Sequence, residues 1–110
     1  MPNIFKSIGN KLNTTSETSV YTVPNATTAL IKSVYAANIN ETNAVNFDVY
    51  ITKSGSADDF YIIKEAIVPI KSTLQAITET LVLQPGDEIK TKSSLASGID
   101  VFTSFMEITE

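Results

Sequence analysis

Two adjacent acid pairs, Asp58-Asp59 and Asp87-Glu88, are the densest groups of chemically capable side chains in this sequence. Neighbouring carboxylates can give two of the ~6–8 oxygens of a calcium site, or flank a scissile bond when they face each other across a cleft. Neither pair has calcium-loop spacing, and a short-looped chain of 110 residues offers little room for a cleft. Both pairs read as solvated loop acids.

The absences say more. The chain has no His, Cys or Trp, and all eight of its basic residues are Lys. Imidazole and thiolate metal sites and His-based triads are therefore excluded. Ser and Thr are abundant, but no Ser-x-x-Lys triplet gives a hydroxyl an activating base. No catalytic residue, cofactor or metal is expected, and the chain does not read as an enzyme. Lack of Arg removes bidentate recognition of phosphate or guanine, and a net charge of −4 opposes nucleic-acid binding. No run approaches the ~18 apolar residues of a membrane span, and the first residues lack the apolar core of a signal peptide. Asn-x-Thr triplets at Asn13, Asn25 and Asn40 fit chance in an Asn/Thr-rich chain.

Two weaker constellations remain. Tyr21, Tyr35, Tyr50 and Tyr61 could stack on sugars, although strand tyrosines more often cap a core edge with the hydroxyl in water. Lys90 and Lys92, with Lys32, suggest an exposed lysine row that guards a sheet against unwanted pairing.

The elements that position these groups are almost wholly β. Leu81-Val82-Leu83 runs into Gln84-Pro85-Gly86-Asp87, where Pro presets φ and Gly accepts the positive φ of a type II turn. A strand over 88–92 follows that corner, with Ile89 inward, and 99–109 closes the fold with Phe102, Phe105, Met106 and Ile108 on both faces. Residues 45–52 alternate cleanly, with Val45, Phe47, Val49 and Ile51 inward. Residues 19–23 and 60–63 form strands, and Pro69 marks an edge or corner. Residues 72–83 fit a helical period loosely, but their β-branched content favours strand. In 28–40, Ala29, Ile31, Tyr35, Ala37 and Ile39 favour one face while Leu30, Val34 and Ala36 favour the other. A strand apolar on both faces sits centrally or meets a partner. About eight strands at this spacing predict an all-β domain, a single antiparallel β-sandwich or jelly roll over 17–110.

Residues 1–16 differ in composition and are expected to form an N-terminal arm, either extended or a short amphipathic helix. Ile4, Phe5, Ile8 and Leu12 are its apolar side chains and need burial, under the protein's own sheet or on a neighbouring subunit. They are the candidate partner-binding residues.

Several motifs recur in one order. Tyr21-Thr22-Val23-Pro24 is followed by Ser33 to Asn38, then Thr52-Lys53-Ser54-Gly55, Val82-Leu83-Gln84-Pro85-Gly86-Asp87 and Phe105-Met106-Glu107-Ile108-Thr109. In this respect residues 17–109 resemble the small β-sandwich virion structural proteins of tailed bacteriophages, including cyanophage-like phages of marine bacteria. Asn25 departs from the glycine or alanine usual after the proline, a change a turn tolerates. The resemblance implies a virion location and a structural role with no catalytic residues. The role expected first is capsid decoration: a cement protein binding the shell non-covalently, with the major capsid protein or other virion proteins as partners, and homo-oligomeric. A neck, tail or baseplate component is the alternative, and a host-glycan attachment module a third. Neither nucleic acid nor membrane is an expected partner.

Overall fold

A computed structural model describes residues 3–56, 58–77 and 79–109. Along them run β1 (Asn3–Leu12), β2 (Thr18–Thr22), β3 (Thr27–Asn38), β4 (Val45–Thr52), β5 (Asp59–Val68), β6 (Thr73–Ile77), β7 (Leu81–Leu83), β8 (Glu88–Ser93) and β9 (Ile99–Thr109). Sheet A has the order β1-β9-β3-β6, with β7 also on β3, and sheet B the order β2-β8-β4-β5. Every pairing is antiparallel. β6 lies along Val34–Ala37 and β7 along Ala29–Ile31, so together they occupy one lane beside β3. Each sheet is thus four lanes wide, and the strand order is that of a jelly roll. The expected all-β sandwich is the fold observed.

The core lies between the sheets. Phe47, Val49 and Ile89 of sheet B meet Leu12, Ile31, Val34, Ile99, Val101 and Phe105 of sheet A, all with almost no exposed surface. Clean alternation in β4 delivers Val45, Phe47, Val49 and Ile51 inward as expected. Within 72–83, Thr73–Ile77 and Leu81–Leu83 are strands, and Pro69 opens the turn that carries the chain from β5 in sheet B to β6 in sheet A, with Ser72 N–H donating to Pro69 O at 3.1 Å.

Residues 3–12, expected in an arm, are the outer strand of sheet A. β1 pairs with β9 at ten successive positions, from Asn3–Ile108 to Leu12–Ile99. The four-residue recurrence of Ile4, Ile8 and Leu12 is an even number, so it keeps one face of a strand as faithfully as one face of a helix. That single periodicity could not separate the two. The sandwich observed thus includes β1 as the edge lane of sheet A.

β3 departs from strict alternation. Its register against β9 shifts between Ile31 and Ser33, a bulge. Ala29 and Ile31 point inward before it, and Val34, Ala36 and Asn38 after it. A one-residue slip exchanges the faces, so Tyr35 and Ala37 lie outward rather than with Ile31. The two-faced apolar pattern of the sequence is this bulge.

At the corner between β7 and β8, Asp87 N–H donates to Gln84 O at 3.0 Å and Gly86 has φ of 86°. A Cβ on Gly86 would meet Ser54 Oγ at 2.5 Å and its Cβ at 2.8 Å. Gly86→Ala therefore combines backbone strain with a clash, and is expected to destabilise by about 2–3 kcal/mol. Urea unfolding should show a lower midpoint with an unchanged slope.

Candidate functional site

The acid pairs do not converge. Asp87 is buried, not solvated: its side chain is 1% exposed and accepts from Lys53 Nζ at 2.6 Å, Gln84 N–H at 2.8 Å and Ser54 N–H at 3.0 Å. Burial pushes its carboxyl up, but the Lys53 ammonium and the two N–H groups outweigh this and hold it below the ordinary value. Glu88, next along the strand, points to the other face beside Lys90. Asp59 accepts from the Thr52 hydroxyl at 2.9 Å. Among the described residues, no three His, Cys, Asp or Glu side chains are placed to hold a metal ion.

Two tyrosines are tied to carboxylates rather than to water. Inside the sandwich, Tyr21 OH donates to Glu107 Oε2 at 2.6 Å, and Lys6 Nζ lies 2.9 Å from Glu107 Oε1. On the outer face of sheet B, Tyr50 OH donates to Glu17 Oε1 at 2.6 Å, with Lys90 Nζ at 3.3 Å from Glu17 Oε2. Tyr61 stacks on Tyr50 with centroids 4.8 Å apart, while Tyr35 lies on the outer face of sheet A. The four tyrosines thus occupy three surfaces and make no single stacking platform. Lys32 is on sheet A and Lys90 and Lys92 on sheet B, so they are not one row.

These networks fix the pH response. Burial pushes Glu107 up, but Tyr21 and Lys6 hold it below its ordinary value. The hydrogen bond from Tyr50, followed by that from Lys90, lowers Glu17. A depressed carboxyl contributes stability that is present above its unfolded pKa and lost as pH falls through the folded value. Burial and then the carboxylate partner raise Tyr21 and Tyr50, so each stabilises below the ordinary tyrosine pKa and ceases to as pH rises beyond it. Urea midpoints should form a plateau between about pH 5 and 9 and fall on both sides. Glu107→Gln should flatten part of the acid limb.

The remaining feature is the outer face of sheet A. Phe5, Met106, Leu30 and Val82 stand opposite one another across four strands and form one apolar row. Phe5 is 75% exposed and Val82 53%. Ser7, Ser104 and Ser33 form the next outward row, and Gly9, Phe102, Tyr35 and Gln75 the one beyond it. Phe102 is 50% exposed and Tyr35 40%. Beside Gly9 they flank a shallow groove of about 410 Å³, with Lys11 and Asp100 at its rim. Sheet B presents Lys90, Asp48 and Lys92 outward, with Glu17 beside them and the exposed Tyr61 and Ile67 of β5 on the same side. Sheet A carries the continuous four-strand apolar row, Phe5–Met106–Leu30–Val82.

The four candidate anchors divide. Leu12 is 1% exposed in the core and Ile8 packs against that core, so the protein's own sheet satisfies both. Ile4 and Phe5 are exposed, on opposite faces of β1. Leu30, Val82, Phe102 and Met106 complete the surface. Sequence reading placed them on strands without seeing that they share a face; the signal was their surplus over what one core face needs.

No protein-family model matches the chain, and no curated protein does. Solved structures match in fold. One is a protein of the disulfide-linked pili of Bacillus endospore appendages, at TM-score 0.55 and 13% identity, covering 98% of this chain and 87% of that one. A second is the Drosophila NLP core, from a structure concerned with pentamer formation and histone binding, at 0.51 and 14%, covering 96% and 98%. A third belongs to the acid-stable capsid of Helicobacter pylori bacteriophage KHP30, at 0.56 and 9%, covering 98% and 94%. At such identities the likeness is one of fold, over nearly the whole of each chain.

Proposed function

We propose that this chain is a structural protein of a bacteriophage virion, binding the shell non-covalently as a decoration (cement) protein. The observation that carries the proposal is the apolar outer face of sheet A beside a fold that keeps its polar chemistry for itself. Asp87, Glu107 and Glu17 are each committed to internal partners, which leaves contact rather than catalysis as the work of the surface. Two findings support it. The three similar structures come by their own descriptions from a pilus, a pentamer and a capsid, all built from repeated copies. The capsid chain is also of about this length, since each covers nearly all of the other.

A decoration protein stabilises by burying area across joints between shell subunits, and symmetry repeats the contact over the whole shell. The major capsid protein or another virion protein is the partner, with Ile4 and Phe5 at the start of β1 as anchors. The pentamer and the pilus favour a second reading, a neck, tail or baseplate ring, because a jelly roll also closes rings and stacks into fibres.

Reconstitution tests the proposal. Particles assembled without the protein should take up purified protein to saturation at a fixed ratio to the shell subunit, and withstand higher temperature afterwards. Ile4→Asp should reduce uptake about tenfold or more while leaving the fold intact. Uptake at tail or neck alone favours the second reading, and no uptake overturns both.

A further inference from the structure

We infer that the outer face of sheet A is self-complementary, and that two copies of this chain pair through it about a two-fold axis along the Ser7–Ser104–Ser33 row. The rows themselves supply the argument. Two register positions to one side of the serines, with Lys32 bulged out of the count in β3, runs Phe5–Met106–Leu30–Val82; two to the other side runs Gly9–Phe102–Tyr35–Gln75. Each lies ~6.8 Å from the serine row. A half-turn about an axis along that row, in the plane between two facing sheets, exchanges the two outer rows and leaves each lane over itself. Phe5 of one copy then stands over Gly9 of the other, Met106 over Phe102, and Leu30 over Tyr35. The most exposed aromatic meets the one position on the face without a side chain, and the smallest residues lie on the axis.

Gly9 supports this independently. Nothing in its own chain requires a glycine there. Its φ is not positive, and a Cβ would make only an ordinary contact, 3.5 Å from Phe102 Cδ1. A glycine inside a strand weakens it and commonly marks the close approach of another group. In the paired arrangement it is the hole that admits the partner copy's ring.

The area suffices. Four lanes at ~4.8 Å and about nine residues at ~3.3 Å present roughly 570 Å² per copy, or roughly 1,100 Å² for the pair, just above the ~1,000 Å² of a specific interface. Ile4, on the opposite face of β1, stays free for the shell contact. One group opposes the pairing: Lys32 lies beside the serine row, flanked by Phe5, Ser7 and Ser104, and so faces its own copy near the axis. Like charges so placed repel, and salt screens them. The dimer should therefore tighten as ionic strength rises, against the usual behaviour of a charge-driven complex.

Analytical ultracentrifugation of the purified chain, from about 1 to about 500 µM to suit an interface of this small size, tests the inference without any particle. The wild type should pass from monomer to dimer within that range. Phe5→Ser and Gly9→Val should each weaken association about tenfold or more with circular dichroism and melting unchanged, and Lys32→Ser should strengthen it and abolish the salt effect. Gly9→Val also keeps the test open if Phe5→Ser folds poorly, since valine favours strand. A monomer throughout, a dimer indifferent to Phe5 and Gly9, or a ring of three or more copies would overturn the pairing. A dimer formed this way takes Phe5 and this face away from the shell contact and leaves Ile4 for it, while uptake by particles reads shell binding separately.

Discussion

Removing residues 1–12 should unfold the domain. β1 contributes the outer strand of sheet A over ten paired positions and carries Leu12 into the core, with Ile8 packed beside it. Truncating buried aliphatic side chains costs ~2–5 kcal/mol each. The deletion also removes Lys6, leaving Glu107 with only Tyr21 for a partner in a site where its side chain is 7% exposed. Together these losses are of the order of the ~5–15 kcal/mol that holds a domain folded. The deletion further bares the edge of β9, eleven residues long, which would pair with other chains. The truncated protein should aggregate and show no cooperative melting transition by far-ultraviolet circular dichroism. A soluble product with a sharp transition would mean that β1 is an accessory strand, and that residues 1–16 behave as an arm after all.

Asp87→Ala is expected to cost about 3 kcal/mol, the largest effect of any single polar substitution. Among the described residues, the carboxylate joins Lys53-Ser54, between β4 and β5, to Gln84, before β8. Alanine would strand two backbone N–H groups, each expensive to leave unpaired. The ion pair itself is worth less, because the Lys53 side chain is 44% exposed and salt screens it. Lys53→Met should therefore cost under about 1 kcal/mol. Equal losses for the two substitutions in urea unfolding would show that the charge pair, rather than the N–H groups, secures the corner. The same carboxyl sits below its ordinary value, so the difference between wild type and Asp87→Ala is largest at neutral pH and shrinks as acid protonates Asp87.

Local features were legible in the sequence. The Pro85-Gly86 corner, the alternation of β4, the polar loop after Thr52 and the strand character of β6 and β7 depend on residues within a few positions of one another. What was not legible depends on pairs far apart. Asp87 is a buried hub only because Lys53, 34 residues earlier, folds onto it; as a string, Pro-Gly-Asp-Glu is an ordinary exposed turn. Tyr21 and Glu107 are separated by 86 positions. In β3, the bulge between Ile31 and Ser33 shows in the sequence only as apolar residues on both faces, which a central strand would show as well, yet it sends Tyr35 outward beside Phe102. The apolar outer face of sheet A was hidden for the same reason: its first row draws one residue from each of β1, β9, β3 and β7. Gly9, a strand residue without a side chain, lies on the same face.

Contact as the purpose of the protein is tested most directly by copy number in purified particles, measured by quantitative mass spectrometry against the major capsid protein. Roughly one copy per shell subunit, or a fixed lattice fraction of that, is the expected result for a decoration protein. A count of about six or twelve per particle would contradict decoration and move the chain to the neck or tail. Its absence from the particles would contradict the virion role itself.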